Sequence, residues 1–290
     1  MSATPLTWGG RSIPAPGGLP AVAVSLTGPS LAQARSQARS AIDAGADVLE
    51  LRVDLLEETG ALAAPDPLDA ATAAAQVLEC LRGLGEIIAA DGADAGAGAP
   101  LLLTCRTAAE GGRAHLDDTA YGSLLRSVLD GLTDWTPERR PAAIDVEVQR
   151  GCLPQVCAQA HALSIDVVAS SHDFEATPAD EALEEVLARM AREGADLAKI
   201  AVWPTTADDV ARLLGVCARA TAGAGEGADL GGPVAAMSMG ALGAVSRVAP
   251  AFGAALTFAV VPDGQGQARA SAPGQLPIQD VRRCLELLRV

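Results

Sequence analysis

The sequence predicts an α/β protein built as a single-domain (β/α)8 barrel, the TIM-barrel plan, and three observations lead there. Short apolar runs bounded by Gly, Pro and polar residues alternate with alanine-rich helical stretches from one end of the chain to the other. Eight such strand-then-helix units fit into about 250 residues, the usual size of this plan. Ionisable residues recur where the apolar runs end, and in a barrel those strand ends form the mouth that holds the chemistry. A doubly wound open sheet is the rival plan, but no Gly-x-Gly-x-x-Gly follows the first run to cradle a dinucleotide.

Residues 1–20, with Trp8, Gly9, Gly10, Pro14 and Pro16, are expected to form an extension or hairpin capping the barrel bottom, and 21–290 the catalytic barrel. The eight runs at 21–27, 48–53, 101–105, 144–148, 167–170, 197–202, 234–238 and 255–260 are too short for helices and read as buried strands. The alanine-rich stretches at 30–44, 68–90, 118–131, 153–163, 179–192, 207–222 and 278–288 read as helices, with a short one near 243–248. Two Gly/Ala-rich stretches, 91–100 and 222–232, lead into strands and so belong to the bottom as insertions without function.

Strand by strand, the polar ends form a coherent set. The second strand carries Glu50 and Arg52, which the period of two puts on one face, with Asp54 following. A solvated edge strand of an open sheet would also explain them. The third ends in Thr104-Cys105-Arg106 and reaches Glu110-Gly111-Gly112; the fourth carries Asp145 and Glu147; the fifth runs into Ser170-Ser171-His172-Asp173-Phe174. The seventh gives Met237-Ser238-Met239-Gly240 and then Ser246-Arg247. After the eighth, Ser271-Ala272-Pro273-Gly274-Gln275 lies in a Gly/Pro-rich loop, 262–275, placed to act as a lid.

Lys199, on the sixth strand between Gly194 and Pro204, is the only lysine in 290 residues, although Lys and Arg together number 21. A chain that replaces lysine by arginine elsewhere keeps one where arginine cannot serve. A guanidinium stays protonated, whereas a buried ammonium can lose its proton and attack a carbonyl. Lys199 is therefore the candidate Schiff-base nucleophile, the alternative being a chance surface lysine. Unperturbed, fewer than about one amine in a thousand would be neutral at pH 7. Burial and neighbouring arginines are expected to act together to raise that share. Of the three histidines, His115 reads as a loop residue and His161 as a helix residue, while His172 ends a strand one strand away from the lysine. Its ordinary pKa of ~6.5 suits a general acid/base.

Composition narrows the partners. A net charge of −15 with no arginine cluster excludes a nucleic-acid backbone as ligand but allows a small anion held by a few local arginines. No basic leader precedes an apolar core, and no apolar stretch approaches ~18 residues, so a cytoplasmic protein without membrane contact is expected. Cys80, Cys105, Cys152, Cys157, Cys217 and Cys284 show no metal-type spacing and read as reduced, buried small hydrophobes, so no metal is expected.

With Glu-x-Arg-x-Asp, Thr-Cys-Arg before Glu-Gly-Gly, Ser-Ser-His-Asp-Phe, the lysine strand, Met-Ser-Met-Gly and Ser-Ala-Pro-Gly-Gln in this order, the chain resembles the type I 3-dehydroquinate dehydratases from the first strand to the last helix. The resemblance implies dehydration of 3-dehydroquinate to 3-dehydroshikimate in aromatic amino acid biosynthesis, through an imine and without cofactor, by a homodimer. It implies Lys199 as the imine-forming residue, His172 as the proton-transfer residue and Glu110 as the acid that orients its ring. Ser25, Glu50, Arg52 and Arg106 match groups that hold the substrate's hydroxyls and ring, and Met237 and Met239 would pack around it. Arg247 matches the partner of the carboxylate, joined by Ser271 and Gln275; a guanidinium fork suits that planar anion.

The enzymatic alternative is a class I aldolase or transaldolase, which also carries a Schiff-base lysine and would need a phosphate nest. Met-Ser-Met-Gly-Ala-Leu-Gly offers a faint version of one. A non-enzymatic alternative, a barrel turned binding protein, predicts a broken catalytic set, and here the set is complete.

Overall fold

The computed structural model describes residues 5–15, 17–64, 69–91, 99–222, 232–262 and 269–289, and within these the apolar runs form the wall of a (β/α)8 barrel. The wall strands are β3 (Ala21–Leu26), β4 (Val48–Arg52), β5 (Leu101–Thr104), β6 (Ala143–Glu147), β7 (Asp166–Asp173), β8 (Leu197–Val202), β9 (Val234–Ser238) and β10 (Leu256–Val260). All neighbours in this series are parallel, and β10 returns to pair with β3. Between β9 and β10 no ladder forms among the described residues; the ring closes there through the Ala255 amide, which donates to the Val234 carbonyl at 2.7 Å. A short β11 (Leu276–Pro277) flanks β10.

Helices α1 (Leu31–Asp43), α2 (Ala70–Asp91), α3 (Asp118–Gly131), α4 (Leu153–Ala162), α5 (Asp180–Arg192), α6 (Ala207–Thr221) and α7 (Ile278–Leu287) surround the wall. Each buries one stripe. On α1 it is Ala34, Ala38 and Ala41, spaced so that methyl groups alone face the strands; on α5 it is Leu183, Leu187 and Met190. Ser30 and Gln33 close a capping box at the start of α1, as Thr206 and Asp209 do for α6. The short helix expected near 243–248 is there as a 3-10 helix, Ala244–Val248, followed by a second, Pro250–Phe252.

The period of two sorts the barrel interior into layers. Val48, Leu102, Ala143, Val168, Leu197, Ala235 and Leu256 fill the lower layer, together with Trp8 and Ile13. These last two belong to an antiparallel hairpin, β1 (Leu6–Trp8) and β2 (Arg11–Ile13), under the N-terminal strand ends. The Trp8 indole N–H donates to Asp166 at 2.7 Å, so its one polar atom is satisfied at the edge of that layer. Two residues further along β4 to β8 the interior turns polar, with Glu50, Thr104, Asp145, Ser170 and Lys199 all buried, while β9 and β10 bring the apolar Met237 and Phe258.

All six cysteines are unpaired, and five are buried. Burial pushes the thiols of Cys157 and Cys217 up to about 12, which leaves them unreactive. The greater part of the two Gly/Ala-rich insertions and residues 263–268 of the loop 262–275 lie outside the described residues.

Candidate active site

A cleft at the C-terminal strand ends encloses about 490 Å³, part of it open to solvent. It brings together Glu50, Arg52, Arg106, Glu110, His172, Lys199, Met237, Arg247, Ser271 and Gln275, drawn from all parts of the chain. Ser25 and Met239 are not among the lining residues. Ser25 stands behind Glu50 and hydrogen-bonds to it, and Met239 is fully buried just past β9. His161 lies elsewhere, exposed on α4 with Nε2 2.8 Å from Asp196, and His115 is exposed in a loop.

Lys199 is 5% exposed. Its Nζ lies 3.5 Å from Asp145 Oδ2, 3.7 Å from Glu50 Oε1 and 4.5 Å above the Phe258 ring. The sequence reading expected arginines around this amine, and the structure corrects it: the nearest charges are carboxylates. The correction follows from register. Lys199 stands beside Ser170, and the Ser170 hydroxyl reaches across to Asp145 at 2.7 Å, so the anion comes from two strands away.

Arg106 lies inside this ring of anions. Its Nη2 donates to Asp145 at 2.7 Å; its Nη1 reaches Ser170 at 2.8 Å, Glu147 at 3.2 Å and Glu110 at 3.3 Å. Burial disfavours the charge, but Asp145, Glu110 and Glu147 outweigh it and hold the guanidinium well above its ordinary value. Asp145 answers in kind: burial would raise its carboxyl, yet Arg106 and then Lys199 hold it below the usual range. Arg52 is similarly matched by Asp54 through two bonds of 2.8 Å.

Arg247 differs from both. It is 2% exposed, lines the cleft and has no carboxylate partner among the described residues; Nη2 donates to the Pro273 carbonyl at 3.1 Å and Nε has no partner. Burial alone lowers its pKa to about 10. A desolvated guanidinium facing a cavity is a receptor for an anion.

The His172 Nδ1 lies 2.8 Å from Glu110 Oε2. Burial first, then the charges of Arg106, Lys199 and Arg52, push the imidazole well below 6.5, so it is neutral at pH 7. Burial also pushes the Glu110 carboxyl up to about 8, with Arg106 opposing. The Glu-Gly-Gly turn makes this contact possible. Gly111 has φ of +80°, and a Cβ there would stand 2.4 Å from the Phe174 ring, which stacks on His172.

The turn Ser271–Gln275 covers the cleft. The Pro273 carbonyl accepts from the Gly240 amide at 3.1 Å as well as from Arg247. Gly274 has φ of +81°, and a Cβ on it would meet the Gly240 backbone at 2.2 Å. The same contacts take up three of the amides that a phosphate nest at 237–243 would use. The Ser238, Met239 and Gly240 amides are taken by Ser246, Val202 and Pro273.

The lining residues that sequence reasoning missed are apolar. Phe174 stands in the Ser-Ser-His-Asp-Phe run but is given no role there, and for Phe258 the one available signal is scarcity, since the chain has only three phenylalanines. Ala201, a lining residue two positions along the strand from Lys199, carries none.

Residues 22–290 match the family profile described as Type I 3-dehydroquinase. The chain is 35% identical over 277 residues to the 3-dehydroquinate dehydratase of Lactiplantibacillus plantarum, covering 93% of each. Among solved structures, the 3-dehydroquinate dehydratase of Geobacillus kaustophilus aligns with a TM-score of 0.79 at 29% identity, over 99% of this chain and 97% of that one. The type I 3-dehydroquinate dehydratase of Clostridium difficile, solved with covalently modified comenic acid, also gives 0.79, at 28% identity over 99% and 98%.

Proposed function

The chain belongs to the type I 3-dehydroquinase family, and on that premise we propose that it dehydrates 3-dehydroquinate to 3-dehydroshikimate through an imine on Lys199. The observation that carries the mechanism is the placing of the chain's one lysine, buried, between two carboxylates and an aromatic face.

Attack by the neutral amine on the ketone, with loss of water, leaves an iminium. Glu50 and Asp145 flank that cation, and the Phe258 ring faces it. The iminium acidifies the adjacent C–H by accepting its electrons. His172, neutral and close by, takes the proton and returns it to the departing hydroxyl, a role worth ~10²–10⁴-fold. Glu110 orients the imidazole through Nδ1. Water then releases the product and restores the amine. Arg247 receives the substrate carboxylate, with Ser271 and Gln275 above it; Glu50, Arg52 and Arg106 face the hydroxylated ring, and Met237 packs against it. Arg106 is already committed to four acceptors, so its main part is to hold the anions in place.

We take residues 21–290 as the catalytic barrel, with 1–20 capping its lower end, and the protein as a cytoplasmic homodimer. No helix of the described residues is long and apolar enough to cross a membrane. Sodium borohydride added with 3-dehydroquinate, followed by intact-mass measurement, tests the chemistry. A substrate-dependent mass gain that Lys199→Ala abolishes is expected. Active wild-type protein that gives no adduct would sink the imine mechanism.

A further inference from the structure

Ser25 stands beside Glu50 in the β3–β4 register, buried and outside the cleft lining. Its hydroxyl donates to Glu50 Oε2 and accepts from Ser271 Oγ at 2.9 Å. Ser271 Oγ accepts in turn from Gln275 Nε2 at 2.9 Å, and the Ser271 amide donates to Gln275 Oε1 at 2.9 Å. Each hydroxyl has one proton and a carboxylate only accepts, so the chain runs in one direction, from the covering turn down to Glu50. The other Glu50 oxygen accepts from Thr104 Oγ1 at 3.0 Å and is the one facing Lys199.

We propose that Ser25 is a positioning residue that couples the Ser271–Gln275 turn to the Glu50 carboxylate and, through it, to the Lys199 amine. The inference rests on Lys199 being the nucleophile. The turn's contacts through Pro273 tie it to Gly240 and Arg247, in the segment after β9; the Ser271–Ser25 bond ties it to β3, two strands round the ring. With the turn in place, Glu50 has donors on both oxygens and one orientation toward the amine. Without the Ser25 hydroxyl, Ser271 and Glu50 each lose a buried partner, and the placing of one no longer constrains the other.

The experiment measures kcat, KM and the rate of borohydride trapping with 3-dehydroquinate for Ser25→Ala, Ser271→Ala, their combination and Ser25→Thr. Ser25→Ala is expected to lower kcat and trapping together by about tenfold, the worth of a hydrogen bond to a charged group. Ser25→Thr, which keeps the hydroxyl, recovers most of the rate. The combination falls no further than the worse single variant, because either change breaks the same chain. Ser25→Ala combined with Phe174→Leu, which shares no partner with Ser25, multiplies the separate losses. Losses that multiply for Ser25→Ala and Ser271→Ala, or Ser25→Ala turning over at the wild-type rate, overturn the coupling. Should Ser25→Ala fail to fold, Ser25→Cys, a weak donor of similar size, enters the same comparison with the same two readings. Wild-type protein that forms no imine overturns the functional reading itself, and this proposal with it.

Discussion

His172 Nδ1 and Glu110 Oε2 lie 2.8 Å apart with both side chains largely withdrawn from water. Burial disfavours charge on either partner, and the surrounding cations act on them oppositely, against the imidazolium and for the carboxylate. A pair so placed holds the imidazole neutral at pH 7, so on the proposed mechanism His172 can accept a proton without first losing one. The acid limb of kcat/KM is therefore expected below the ordinary histidine value, and a pH–rate profile checks it.

The raised Glu110 carboxyl has a consequence for stability. The folded chain holds a proton that the unfolded chain releases above about 4.5, and keeps it up to about 8. The contribution is present in full below 4.5 and is lost as pH rises toward 8. Glu110→Gln should therefore gain stability relative to wild type between pH 5 and 8. Urea unfolding of both at the two pH values checks it; a constant difference would show that the carboxyl is not displaced.

Arg247 pulls stability and function in opposite directions. Arg247→Met is expected to lower kcat/KM by about a hundredfold, the loss of a charge-assisted fork. The same variant should melt no lower than wild type without ligand, because it removes a buried cation that lacks a counter-charge. Steady-state kinetics beside thermal unfolding give both numbers.

Arg106 predicts the reverse. Arg106→Met leaves Asp145 and Glu147 in a buried site without their shared cation, at a cost of about 3–5 kcal/mol. Denaturant unfolding should show a large drop at pH 7 that shrinks as the medium is acidified and Asp145, no longer held down by Arg106, takes up a proton.

Trp8→Phe isolates the lower end of the barrel. It deletes the hydrogen bond to Asp166 and should cost about 1 kcal/mol while kcat stays at the wild-type value. A fall in kcat at unchanged stability would mean that the hairpin communicates with the mouth.

The barrel was legible because its signals are local. Runs such as Leu197–Val202 are too short for helices, and polar residues at period two mark the inward face of Val48–Arg52. The lysine and histidine stood out by scarcity and by place. What resisted reading depends on register between strands. The Asp145 carboxylate beside Lys199 follows from how β6, β7 and β8 are staggered, which no single strand encodes. The saturation of Arg106 and the solitude of Arg247 are likewise properties of the assembled site: the two arginines look alike in sequence and differ only in what the fold brings to them.

The seam between β9 and β10 gives the barrel a division of labour. From β3 round to β9, ladders run without a break, and this stretch carries Glu50, Glu110, Asp145, His172 and Lys199, the groups to which we assign the chemistry. Beside the seam stand Arg247 on the connecting segment and, after β10, the Ser271–Gln275 turn. Like a clasp on a bracelet, the joint without a ladder among the described residues lies next to the parts that, on the proposed function, receive and surrender the ligand. A designer who wished to refit this barrel for another carboxylate would work at the clasp and leave the ring alone.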